Sequence, residues 1–185
     1  MPDQPTPADA AKLARGLIEP LGDRWAHVQA VAARAVELLP AVSPPDRDLL
    51  ISAAWLHDIG YAPEIGATGF HPLDGARHLR HLGWPAAVVT LVAHHSGARF
   101  EAAERGLTQE LAAFPMPEAS CLDALDTADL TTGPRGDRVG FAERIAEILE
   151  RYPADHPVHR TWTKAAPVLQ ESVKRTEERV AAQPR

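Results

Sequence analysis

Histidines and aspartates in this chain fall at the edges of apolar, helix-periodic segments, and that placement is the strongest constraint on how it can fold. His27 shares a helical stripe with Val31 and Ala35, and the doublet His57-Asp58 ends the stripe Leu50, Ala53 and Ala54. His94-His95 close the run Val88, Leu91 and Val92, and Asp129 lies near the end of a segment holding Leu122 and Leu125. His71 opens a further segment and is followed by Pro72, a residue tolerated in a helix's first turn. Imidazoles and carboxylates spread over roughly a hundred residues in this way are what a metal site built between packed helices needs.

Composition points the same way. The 185 residues suffice for one domain with a substantial core and are too few for two comfortable ones. Ala, Leu and Val are abundant and aromatic residues make up only 5%, which favours packed helices over a sheet. No repeat, no convincing period-2 run and no Gly-rich phosphate loop followed by Lys is present. The expectation is an all-α helical bundle. A loose leader is expected over residues 1–7 and a single helical domain over 8–185, with the histidine-bearing core at about 23–150 and C-terminal helices at about 141–182. Helices are predicted over 8–19, from a cap at Asp23 to about Leu39 with Val36 on its buried stripe, and from Asp46 to a left-handed Gly60. Others are predicted from His71 to Leu82, from Pro85 to His95, from Glu118 to about Leu130, from Phe141 to Tyr152 and from about His159 to Ala182. Residues 61–70 read as a loop, 98–116 as a mixed stretch with a short helical piece, and Lys174–Arg179 as a solvated helix face.

Several function classes are disfavoured. A net charge of -6 argues against sequence-independent nucleic-acid binding, which needs a basic face. The lone Cys121 cannot form an intramolecular disulfide and reads as a small buried apolar side chain. Met1 to Ala11 lacks the apolar core of a signal peptide, and no apolar run approaches the ~18 residues a membrane span requires. A cytoplasmic protein without membrane association is expected.

Four residues read as a first metal site: His27, His57, Asp58 and Asp129. Neighbours on a helix point about 100° apart, but at a helix end the chain can splay enough for His57 and Asp58 to reach one ion. Asp58 has two oxygens and can bridge to a second ion held by His71 and His94, with His95 an additional or alternative ligand. One or two divalent ions are expected, with Fe, Mn, Co and Zn all compatible with nitrogen and oxygen donors. Two ions roughly 3.5–4 Å apart activate a water and clamp phosphoryl oxygens. Asp126 and Asp129 compete for the last position, being three apart on one helix.

The pattern resembles the HD-domain metal-dependent phosphohydrolase superfamily, in the subset H…HD…H…H…D. His27 matches the first His, His57-Asp58 the doublet in Leu-His-Asp-Ile-Gly, and His71 the His of His-Pro-Leu-Asp-Gly. His94-His95 match the later His, and Asp129, in Ala-Asp-Leu-Thr-Thr, matches the closing Asp and is preferred over Asp126. The resemblance implies a metal-dependent phosphohydrolase acting on a nucleotide or other small phosphate ester through a metal-activated water, with Asp58 and His57 as the catalytic pair. Tyr61 stands where many relatives carry Lys, and Ala62 breaks the Gly-Tyr-Pro signature of the cyclic-di-GMP branch. The spacing is also similar to the branch that hydrolyses dinucleoside tetraphosphates. Arg24, Tyr61 and Arg99 are the candidate substrate contacts, with Arg135 a further cation of the same kind. Two rivals share these residues: a di-iron oxygenase on the same scaffold, and a non-catalytic nucleotide-binding regulatory module.

Overall fold

The computed structural model describes residues 4–182. Its helices are α1 (Pro7–Ile18), α2 (Asp23–Glu37), α3 (Arg47–Leu56), α4 (His71–His81), α5 (Ala86–His94), α6 (Ala98–Arg105), α7 (Thr108–Leu111), α8 (Ala119–Leu130), α9 (Phe141–Arg151) and α10 (Pro157–Ala181). Among the described residues the one β feature is an isolated bridge between Thr132 and Arg138. No helix among them is long and apolar enough to cross a membrane. The expected all-α architecture is what forms.

The short helix α3 is the hub. It packs against α1, α2, α5 and α8, and its Leu50, Ala53, Ala54 and Leu56 are fully buried. Alanines at the contact let neighbouring helix axes approach closely, so the side chains at the end of α3 sit deep in the bundle. α10 lies across α6 and α8 with α9 beside it. Residues 141–181 therefore cover one side of the bundle.

Several local expectations shift. Of the loose leader expected over 1–7, residues 1–3 lie outside the described residues, while Pro7 already belongs to α1 and Thr6 caps it in a reciprocal pair with Asp9. Asp23 is the first helical residue rather than the cap of α2, because Gly22 takes the capping position with φ 56°. Val36 is 51% exposed, since α2 ends at Glu37 with nothing packed over that face. Residues 98–116 hold two helices, α6 and α7, not one piece. α10 starts at Pro157, where His156 accepts a hydrogen bond from the Val158 N–H and caps the helix. His159 is held at the end of α9, its Nδ1 lying 2.9 Å from the Tyr152 carbonyl.

The run Lys174–Arg179 departs most from a solvated face. Arg175 donates from Nε and Nη2 to the two oxygens of buried Asp123, at 2.8 and 2.6 Å, and Arg179 adds a bond of 2.9 Å. Burial works to raise the Asp123 pKa, but Arg175, Ser172 and Arg179 outweigh it and hold the carboxyl below its usual value. This pair fastens α10 to α8. A carboxylate with a depressed folded pKa stabilises the protein above its unfolded pKa of about 4 and loses that contribution as pH falls. Asp123→Ala is expected to cost about 1–2 kcal/mol at neutral pH, discounted because both arginines are partly exposed. The gap to wild type in urea unfolding should be constant at neutral pH and narrow only as pH falls below about 4, through the depressed folded pKa.

Candidate metal centre

Five elements deliver the site. α2 carries Arg24 and His27, the end of α3 carries His57-Asp58, α4 begins with His71, the turn after α5 carries His95, and α8 carries Asp129. Their donor atoms form two groups, each within 4.8 Å: His27, His57 and Asp129, and Asp58, His71 and His95. Asp58 joins them. Its Oδ2 lies 3.4 Å from His57 Nε2 and 3.9 Å from His27 Nε2, while Oδ1 lies 3.4 Å from His71 Nε2.

Backbone carbonyls set the histidine tautomers. A carbonyl only accepts, so Nδ1 must carry the proton where His27 meets Gly133 at 2.9 Å, His57 meets Ala54 at 2.8 Å and His95 meets Val92 at 2.7 Å. In the neutral rings each Nε2 lone pair then faces inward. His27 Nε2 is 2.9 Å from Asp129 Oδ1, and His95 Nε2 is 3.2 Å from His71 Nε2. His57 Nε2 is buried with no hydrogen-bond partner among the described residues. Lone pairs turned towards carboxylate oxygens repel unless a proton or cation lies between them. An orphaned buried acceptor amid nitrogen and oxygen donors fits a first-row divalent ion.

The pKa directions express the same demand for positive charge. Burial opposes protonation of His57, yet Asp58 and Asp129 raise its pKa to about 9. Asp58 and Asp129 are both held well below the carboxylate range against the effect of burial, Asp58 by His57 and Arg24 and Asp129 by His27 and His57. Burial pushes His71 and His95 down, so both are neutral and ligand-ready. Arg24 donates to Asp58 Oδ2 at 2.7 Å, and its guanidinium lies 4.1 Å from the Tyr61 ring centroid. Tyr61 in turn stacks on His71 with centroids 4.0 Å apart.

Three expected residues are elsewhere. His94, offered as a ligand, donates from Nε2 to the Phe114 carbonyl at 2.8 Å and faces a separate cavity. The α-helix ends at His94; His95 leaves it in an extended conformation, and its ring lies at the centre beside His57 and His71. Arg99, offered as a substrate contact, lines that other cavity too, beside Asp126. Arg135 is exposed on the turn after α8. Hence His95→Ala should remove one metal equivalent by elemental analysis. His94→Gln should leave the metal content unchanged and cost about 1 kcal/mol of stability for its lost carbonyl bond.

Sequence reasoning did not find Ser96. This residue adopts φ 48°, ψ 39°, a left-handed conformation unusual for a side-chain-bearing residue. Its N–H donates to Asp126 Oδ1 at 2.6 Å and its hydroxyl to Asp129 Oδ2, so Asp129 is aimed at His27 by its other oxygen. Asp126 supports the turn and lies outside both donor groups; burial raises its pKa well above the usual range. A cavity of about 80 Å³ opens onto the centre, lined among others by Arg24, Asp58, Tyr61, His71, Arg144 and Trp162.

The family model described as HD domain matches residues 24–131, more than half of the chain. This is an HD-domain protein. No curated protein and no solved structure matches it. HD domains bind divalent metals, and the two donor groups of this one have the composition to hold them. The match ends just after Asp129, so α9 and α10, with Arg144 and Trp162, lie beyond the HD domain match yet line its cavity.

Proposed function

We propose that this HD domain hydrolyses a small phosphate ester, a nucleotide or a related compound, with divalent metal as its cofactor. The observation that carries this reading is Asp58, whose two oxygens face two separate histidine groups at the floor of one small cavity. His27, His57, Asp129 and Asp58 Oδ2 would hold one ion, and Asp58 Oδ1, His71 and His95 a second. Bound there, a divalent ion supplies an acidified water and positive charge for phosphoryl oxygens.

The chain's own residues do the rest. The carbonyls of Gly133, Ala54 and Val92 hold the imidazoles in the donor tautomer, which raises their basicity and fixes their aim. Ser96 orients Asp129, and Arg24 orients Asp58 while adding a cation to the cavity wall. Burial pushes the Tyr61 pKa up, with Asp58 adding to it, so the phenol stays protonated and available to donate to a phosphate oxygen.

The test pairs metal analysis of freshly purified protein with a phosphate-release screen across nucleotides, run in an oxygen-electrode cell. Metal-dependent phosphate release without oxygen uptake supports hydrolysis. Oxygen uptake with Fe(II) and a polyol or phosphonate would transfer the site to the oxygenase class. Tight nucleotide binding by a metal-free protein would make it a regulatory module.

A further inference from the structure

Arg144 stands on α9, beyond the family match, and lines the same cavity as Asp58, His71 and Arg24. Its Nη1 donates to Glu147 one turn further on, and Glu147 is also held by Arg151. Its Nε is enclosed by protein and has no hydrogen-bond partner among the described residues. Tying up Nη1 leaves free the guanidinium edge formed by Nε and Nη2. Arg175 shows what that edge does in this same molecule, donating from Nε and Nη2 to both oxygens of Asp123 at 2.8 and 2.6 Å. The enclosed Nε–H costs free energy until an oxygen meets it, and together with Nη2 it forms the edge that receives a pair of oxygens.

We infer that Arg144 is a substrate-binding residue that grips two non-bridging oxygens of a terminal phosphoryl group, and that the substrate is therefore a phosphomonoester. The inference rests on the phosphate-ester reading above and names its substrate class. Arg24 is paired with Asp58, a carboxylate of the centre itself, whereas Glu147 is shared between Arg144 and Arg151, so Arg144 brings uncompensated positive charge to the wall. Besides Asp58 and Asp129 of the centre, the cavity wall carries the carboxylate of Glu101, which is neutralised by Arg105 at 2.6 Å and does not repel an anion strongly. A phosphomonoester has three non-bridging oxygens, so two can meet Arg144 while one still faces the histidine groups. A diester has only two to share. At about 80 Å³ the cavity is far smaller than the roughly 300–1,000 Å³ that encloses a whole drug-sized ligand. It takes the phosphoryl end, and Trp162 on α10 adds an aromatic side chain to the lining that can meet the organic part.

The experiment uses the full chain reconstituted with Mn²⁺, with inorganic phosphate as calorimetric probe and circular dichroism as a fold check. Arg144→Met should weaken phosphate binding about tenfold or more. Arg144→Lys, which keeps the charge without the two-donor edge, should weaken it similarly, and it carries the test should the Met variant not fold. With p-nitrophenyl phosphate and bis-p-nitrophenyl phosphate as a matched pair, kcat/KM should fall about tenfold or more for the monoester and by a clearly smaller factor for the diester. Unchanged phosphate affinity in a folded Arg144 variant overturns this assignment alone. A wild-type protein that binds no phosphate overturns the phosphate-ester reading and this inference with it.

Discussion

Asp58→Ala is expected to remove most bound metal and to lower phosphate-releasing activity on the order of 10³-fold, with the helical content intact. The size of the effect comes from position. Among the described residues Asp58 is the one whose separate oxygens approach both donor groups, at 3.4 Å from His57 Nε2 and 3.4 Å from His71 Nε2. Any other ligand change removes a donor from one group, whereas this one weakens both. Folding should survive, because the cation left behind is Arg24, whose side chain is 32% exposed and can turn outward to water. The cost in stability is about 1–3 kcal/mol, from the lost charge-assisted hydrogen bond and the carboxylate-poor pocket around His57. Asp58→Asn separates charge from shape: it keeps one acceptor oxygen and should retain partial metal binding. Elemental analysis, phosphate release and far-ultraviolet circular dichroism on the same preparations check all three statements. Full metal and full activity in Asp58→Ala would refute the two-group site.

What the sequence makes legible follows from how local the determining physics is. His27 recurs at helical spacing with Val31 and Ala35, so its inward direction on α2 needs no tertiary information, and the structure buries it at 1% exposure. The same periodicity places His57 and Asp129 on buried faces of α3 and α8. Periodicity loses its hold where a helix stops. His94 continues the face of α5, while His95 turns through an extended backbone conformation, and only coordinates show which ring enters the centre. Ser96 is invisible for the same reason, since nothing in its type announces a left-handed conformation. The wall supplied by α9 and α10 is illegible on different grounds. Arg144 and Trp162 read as ordinary surface residues of charged helices until the path of those helices across the bundle is known. Asp123 and Arg175 pair across 52 residues, a register that neither segment encodes alone.

Gly60 gives the largest structural effect, and for a reason other than the left-handed helix end that its place after His57-Asp58-Ile59 suggests. It is absent from the glycines with positive φ, and it lies in a 3-10 turn, Ile59–Tyr61, that follows directly on the doublet. A Cβ at this position would stand 2.0 Å from the His71 carbonyl oxygen and 2.8 Å from the Gly75 backbone nitrogen. Both obstacles are main chain of α4, so no side-chain rotamer relieves them. Reaching ordinary contact distance of about 3.5 Å needs α4 to move on the order of 1 Å. Gly60→Ala should therefore cost about 3 kcal/mol, or roughly 6–12 °C in Tm for a chain of this size. It should also separate His71 from Asp58 and remove the second metal equivalent. Gly16→Ala is the matched control: Gly16 lies in α1, and a methyl group there would meet nothing within 4 Å, so that change should raise Tm slightly through helix propensity. A Gly60→Ala protein that melts with wild type and keeps its full metal content would show that the turn after the doublet does not rest against α4.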